Sequence, residues 1–120
     1  MIMPSWALYP ALDDKYPSGI SSKWIQGELR GRLGYEGVVI TDAIEAGGLS
    51  GFGTDPERSV LAIRAGVDII LAAARNVSQG EAIVNALVTA VDSGALGSST
   101  FSTSTARISS LRNALSSATT

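Results

Sequence analysis

Hydrophobic positions along the chain alternate between short unbroken runs and spacings of three to four residues. Unbroken runs at residues 38–41 and 67–72 predict two strands, and residues 1–6 predict another one before them. Pro4 weakens that first strand because proline cannot donate a hydrogen bond to a ladder. The apolar character of the other two runs is typical of strands that are buried on both faces.

Helical spacing between and after these runs predicts four helices, at residues 22–33, 56–65, 78–94 and around 101–115. Gly34 and Gly66 stand where they would end the first two helices. Asp55 is the predicted N-cap of the second helix, and Ser78 with Glu81 has the spacing of a capping box at the third. The alternation predicts an α/β fold of parallel β/α units, either a doubly wound sheet or part of a (β/α)8 barrel.

Composition narrows the possible functions. Hydrophobic residues make up 45% of the 120 residues and charged residues 17%, which indicates one globular piece over residues 1–120, with a frayed end predicted at 116–120. A net charge of −2 without a basic patch argues against a nucleic-acid partner, and no apolar run reaches the roughly 20 residues of a membrane span. The absence of cysteine and histidine excludes thiolate and imidazole metal sites, so we expect no metal and no cofactor.

One carboxylate stands out at the end of the β-branched run. Asp42 follows residues 38–41 and precedes a loop that contains Gly47 and Gly48. In parallel α/β proteins the chemistry lies at the carboxyl ends of the strands, and glycines let a ligand approach the backbone. Asp42 is therefore a candidate catalytic residue, although an aspartate at a strand end can also serve only to accept local amide hydrogen bonds.

Residues 9–13, the string from Leu29 to Asp42, and residues 65–71 follow one another in an order that resembles a known family. The string has the form LR-x-x-LG-aromatic-x-GVV-x-[ST]-D. It is similar to the later part of the catalytic barrel of glycoside hydrolase family 3, and most of all to the β-N-acetylhexosaminidase branch.

The resemblance implies that the three strands are about the last three of a (β/α)8 barrel, which typically needs about 250 residues, so the chain would be an incomplete barrel. It implies hydrolysis of an O-glycosidic bond in a carbohydrate substrate with retention, with Asp42 as the nucleophile. In that branch the proton donor is a histidine on a preceding loop, and this chain contains no histidine. We therefore expect the isolated chain to be inactive.

Three further residues are candidates for substrate binding if the resemblance holds. Trp6 could stack on a sugar or simply pack beneath a loop, and Glu45 lies close enough in sequence to Asp42 to touch a bound sugar. Arg75 follows the third strand on the side of the proposed mouth. For Glu45 and Arg75 the alternative is an ordinary loop position.

Two other classes of function remain open from the sequence. A small doubly wound binding or regulatory module without catalysis would be complete at this length. A noncatalytic fragment could instead dock onto a complementary barrel half, or self-associate, through exposed sheet edges.

Overall fold

The computed structural model describes residues 1–117 of the chain. Two strands, β1 (Ile40–Ala43) and β2 (Ile69–Leu71), pair in parallel, with Ile40 opposite Ile69 and Ala43 opposite Leu71. The register shifts between these two pairs, which marks an irregularity in the ladder. The prediction of an α/β fold with parallel strands is confirmed.

The strand predicted at residues 1–6 is reduced to a single parallel bridge between Ile2 and Val39. The Ile2 amide donates to the Val38 carbonyl at 3.0 Å, and the Ile40 amide donates to the Ile2 carbonyl at 2.9 Å. Pro4, two residues further on, has no amide hydrogen with which to continue the ladder. The segment therefore lies beside β1, on the edge opposite β2, but forms no longer strand.

The two observed strands differ from the predicted ones in position and burial. Both β1 and β2 begin two residues later than predicted. All three residues of β2 are partly exposed, and in β1 only Thr41 is fully buried, although Val38 and Val39 just before it are buried as well. The expectation of burial on both faces is wrong for β2, because the described elements do not cover both of its faces.

Helices follow the strands at nearly the predicted places. They are α1 (Asp55–Ala65), α2 (Val77–Asp92) and α3 (Ser98–Ser117), with short 3-10 turns at Ser18–Ile20 and Gly47–Phe52. The predicted frayed end at 116–120 overlaps the last two residues of α3, and residues 118–120 lie outside the described residues.

The helix predicted at 22–33 is a π-helix, Lys23–Arg32. The Leu33 amide donates to the Glu28 carbonyl, five residues earlier, at 2.9 Å, which is the wider π-type bond. Gly34 follows with φ +68° and Gly66 ends α1 with φ +111°, so both predicted terminators adopt the left-handed conformation that favours glycine.

Two predicted helix caps are wrong. α1 is capped by Thr54, whose backbone amide and hydroxyl both donate to the Glu57 carboxylate, so Asp55 is the first helical residue instead of the cap. α2 is capped by Asn76, whose side-chain oxygen accepts the Gln79 amide at 2.8 Å. Each end offers two nearby residues that can cap a helix, and local sequence does not show which of them does so.

Apolar side chains from the helices, from β2 and from the residues next to β1 meet in one main core. Ile25 from the π-helix, Val39 and Ile44 beside β1, and Leu49 in the following loop are almost completely buried there. A smaller cluster of Ile63, Ala90 and Leu96 joins α1 to the end of α2. The main core therefore connects the π-helix, the residues on either side of β1 and the loop that follows it.

Asp68 forms a buried polar network at the amino end of β2, opposite the Asp42 end. Its Oδ2 accepts Arg30 at 2.8 Å and the Val39 amide at 2.9 Å, while Oδ1 accepts Arg107 at 3.0 Å and the Ser104 hydroxyl. These partners come from the π-helix, from the residue just before β1 and from α3. The Asp68 carboxylate thus joins the π-helix, the sheet and the last helix.

Large apolar side chains remain exposed on both flanks of the sheet. On the amino-terminal flank they surround a groove of about 360 Å³ that is lined in part by Ile2, Trp24 and Leu33. On the other flank, Val84, Val88 and Phe101 are exposed between α2 and α3. Within residues 1–117, no helix is long and apolar enough to cross a membrane.

Candidate active site at the carboxyl edge of the sheet

Asp42 is the third residue of β1, at its carboxyl end, and not the first residue after the strand as predicted. Its side chain is partly exposed, and its Oδ1 accepts the amide of Ala43 at 2.7 Å. The neighbouring Thr41 is fully buried and its hydroxyl accepts the Leu71 amide at 2.8 Å. A rigid, hydrogen-bonded strand therefore presents a carboxylate that solvent can reach.

Trp6 lies next to this strand end. Its indole Nε1 donates to the Ala43 carbonyl at 3.0 Å, and the ring is partly buried against the main core. A Cβ atom on Gly19 would collide with the ring, so glycine at that position makes room for the indole. Trp6 therefore packs against the core. Part of its ring is still exposed, and stacking of that part on a sugar stays a prediction.

Glu45 follows in the loop after β1, and its carboxylate is held by the neighbouring loop. Its Oε2 accepts the Ala73 amide at 3.2 Å and the Gln79 side chain at 3.0 Å. Burial opposes ionisation of Glu45, but the hydrogen bonds from Gln79, from its own amide and from Ala73 outweigh burial and lower its pKa. Glu45 is therefore an ionised carboxylate fixed near the end of β1.

Arg75 lies four residues after β2, in the loop that supplies the Ala73 amide to Glu45. It is the one non-glycine residue with positive φ, +60°, among the described residues. Its side chain is exposed and forms no hydrogen bond or ion pair within residues 1–117. Arg75 therefore combines an uncommon backbone conformation with an exposed side chain, in the loop that contacts Glu45.

Gln79 is the residue that sequence reasoning missed. It is 9% exposed, and its side chain contacts Glu45, Asp55 and the Ala74 amide. A glutamine near a helix start is an ordinary surface residue by sequence, and no local signal marks it. The described residues contain no group of three or more acidic side chains placed to hold a metal ion.

Comparison with known proteins identifies the fold that carries this site. Residues 1–111 match the family model described as glycosyl hydrolase family 3 N terminal domain. The chain belongs to glycosyl hydrolase family 3. The resemblance carried by residues 9–13, 29–42 and 65–71 is confirmed, and membership of family 3 favours the glycosidase hypothesis over the doubly wound module.

Relatives within family 3 are much longer than this chain. An uncharacterized secreted glycosyl hydrolase of Arthroderma benhamiae is 59% identical over 116 residues, which are 97% of this chain and 33% of the relative. A beta-hexosaminidase of Chromobacterium violaceum is 43% identical over 70 residues, 58% of this chain and 19% of the relative. The chain spans a third or less of the length of these relatives.

A solved family 3 structure supports the same fold. The β-N-acetylglucosaminidase from a Paenibacillus species superposes with a TM-score of 0.87 and 38% identity, over 92% of this chain and 21% of that protein. A β-N-acetylhexosaminidase from Beutenbergia cavernae superposes with a TM-score of 0.83 and 30% identity, over 92% of this chain and 32% of that protein.

Proposed function

We propose that this chain supplies the nucleophile of a retaining glycoside hydrolase that cleaves β-linked N-acetylhexosamines, and that Asp42 is that nucleophile. The observation that carries the proposal is the Asp42 carboxylate at the carboxyl end of β1, partly exposed and held in a rigid strand. The names of the relatives, a beta-hexosaminidase and a β-N-acetylglucosaminidase, support the choice of sugar.

The proposed reaction has two displacements. The Asp42 carboxylate attacks the anomeric carbon, the glycosidic bond breaks, and the leaving oxygen takes a proton from a general acid. Water then attacks the glycosyl ester, gives up a proton to the conjugate base of that acid, and releases the sugar and the free carboxylate. The ionised carboxylate also stabilises the oxocarbenium charge that develops in each transition state.

The general acid of this proposal comes from outside the chain. The sequence contains no histidine, the residue that the family resemblance implies for this role. We propose that β1, β2 and the Ile2 segment are part of a (β/α)8 barrel that the rest of a longer protein completes. The exposed apolar side chains on both flanks of the sheet support this, because a continuing barrel would cover them.

The remaining candidates would contact the sugar while it is bound at Asp42. Trp6 offers an indole face beside Ala43, Glu45 offers an ionised carboxylate that can accept sugar hydroxyls, and Arg75 offers an unpaired guanidinium. These contacts would bind and orient the pyranose ring, while Asp42 acts on the anomeric carbon.

The test uses a barrel chimera, in which this chain replaces the equivalent segment of the Paenibacillus β-N-acetylglucosaminidase. Asp42→Asn should lower hydrolysis of an aryl β-N-acetylglucosaminide by roughly a thousandfold or more, because a carboxamide is nearly isosteric but cannot act as the nucleophile. The matched control Asp92→Asn changes an exposed aspartate on α2 and should leave the rate unchanged.

A second measurement identifies the carboxylate directly. A mechanism-based fluorosugar should label the chimera on the peptide that contains Thr41, Asp42 and Ala43. Substantial turnover by a folded Asp42→Asn chimera, or labelling at Glu45 or Asp13, would show that the wrong carboxylate has been chosen.

A further inference from the structure

Both amide hydrogens of the Gln79 side chain and its amide oxygen are hydrogen-bonded. Nε2 donates one hydrogen to Glu45 Oε2 at 3.0 Å and the other to Asp55 Oδ2 at 2.9 Å. Oε1 accepts the Ala74 amide at 3.0 Å. Because Gln79 is buried, each of these bonds satisfies a group that water reaches poorly.

These bonds join the two loops that border the candidate active site. Glu45 lies in the loop between β1 and α1, Asp55 is the first residue of α1, and Ala74 lies in the loop between β2 and α2. Gln79 itself is fixed by Asn76, which caps α2 and accepts the Gln79 amide. The start of α2 therefore anchors both loops next to the end of β1.

The charges around Gln79 explain why an amide occupies this position. The charged groups at the site are Glu45, Asp55 and Arg58, and Arg58 donates to Asp55 Oδ1 and to the Ile44 carbonyl, both at 3.2 Å. A neutral amide can donate to two carboxylates at once and still accept a backbone amide. A third carboxylate here would face two like charges with a single guanidinium beside them.

We propose that Gln79 is a positioning residue for the glycosidase reaction: it clamps the loops after β1 and β2 together and holds the Glu45 carboxylate at the sugar site beside Asp42. The proposal rests on the proposed function of Asp42 and adds a residue that touches neither the sugar nor the reacting atoms. Its effect on the reaction passes through Glu45 and the loop geometry.

The experiment measures kcat and KM of the barrel chimera with an aryl β-N-acetylglucosaminide across pH. Gln79→Met keeps most of the volume but removes every donor, and should lower kcat/KM by about 10- to 100-fold, because small displacements of positioned groups carry losses of this size. Gln79→Glu should lose a similar amount near neutral pH. Asn85→Asp makes the same change of an amide to a carboxylate on the exposed face of α2 and should match the parent.

The pH dependence separates positioning from simple packing. The like charges of Glu45 and Asp55 would raise the pKa of the new carboxyl in Gln79→Glu, and its protonated form can again donate a hydrogen bond. The activity of Gln79→Glu relative to the parent should therefore rise as the pH falls from about 7 to about 5. The relative activity of Gln79→Met should stay constant over that range.

Two results would overturn the inference: Gln79→Met activity equal to that of the Asn85→Asp control, or a Gln79→Glu ratio that does not change with pH. If Gln79→Met fails to fold, the pH ratio of Gln79→Glu alone decides. Failure of the proposed function would be a separate result, because the parent chimera would then keep its activity after Asp42→Asn.

Discussion

The Asp68 carboxylate, with its side chain fully buried, is paired with two arginines, Arg30 and Arg107. The side chain of Arg30 is 8% exposed and that of Arg107 is 24% exposed, so the pair with Arg30 is shielded from solvent more completely. Removing one partner of a buried ion pair leaves an uncompensated charge, which is costlier than the net gain from forming the pair. Asp68 therefore matters for stability rather than for catalysis.

Asp68→Asn should lower the free energy of unfolding of the barrel chimera by about 3–5 kcal/mol, because the buried Arg30 loses its charged partner and Arg107 loses its ion pair. The measurement is urea unfolding followed by circular dichroism. Asp14→Asn, at an exposed loop position, is the control and should change the unfolding free energy by less than about 0.5 kcal/mol. Equal effects of the two substitutions would contradict the structural role of Asp68.

For single residues, the sequence predicted the position of a candidate catalytic side chain but not which distant side chains contact each other. The position of Asp42 at a strand end followed from the β-branched run before it. The arginines that hold Asp68 lie 38 and 39 residues away, and Gln79 lies 34 residues from Glu45. Contacts at such separations depend on how the elements pack, which no local pattern specifies. Asp13 is buried and accepts the Ser21 hydroxyl, a contact that depends on packing in the same way.

Among the elements, helix ends that require a special backbone conformation were predictable and helix type was not. Gly66 was identified because glycine tolerates the left-handed conformation at a helix terminus. The apolar stripe of Ile25, Leu29 and Leu33 is compatible with an α-helix, yet the segment forms wider π-type bonds. Ile25 is buried and Leu29 packs against the core, while Leu33 is exposed, so the apolar spacing does not decide between the two geometries.

Substitution by alanine should change the free energy of unfolding in opposite directions at Gly66 and at Gly80. Gly66→Ala should destabilise the chimera by about 1–2 kcal/mol, because φ is +111° and a Cβ atom would collide with Gln26. Gly80→Ala should stabilise it by about 0.5–1 kcal/mol, because Gly80 lies within α2 with no atom close to the new Cβ. Thermal unfolding of both variants checks this prediction, and a change in stability in the same direction for both would refute it.

For the whole molecule, the exposed apolar flanks predict how the 120-residue chain behaves alone. We expect it to self-associate through these flanks. We also expect no hydrolysis of aryl β-glycosides above background, because general acid catalysis contributes about 10²–10⁴-fold to the rate and this chain lacks the acid. Val84→Lys with Val88→Lys should reduce association in analytical ultracentrifugation, since both side chains are exposed on α2. The control Ser50→Lys adds charge at an exposed polar position and should leave the association unchanged. A monomeric chain with Asp42-dependent turnover would contradict the incomplete-barrel proposal.

The bond from the Trp6 indole to the Ala43 carbonyl makes the end of β1 optically visible. Trp6 and Trp24 are the two tryptophans of the chain, so a chimera that carries Trp24→Phe and has no tryptophan outside this segment would keep Trp6 as its single tryptophan. Loss of that bond, or a sugar ring arriving next to the indole, changes the polarity around the fluorophore and therefore its emission wavelength. Occupancy of the site could then be followed in real time without a chromogenic substrate, even in Asp42→Asn, where no product forms.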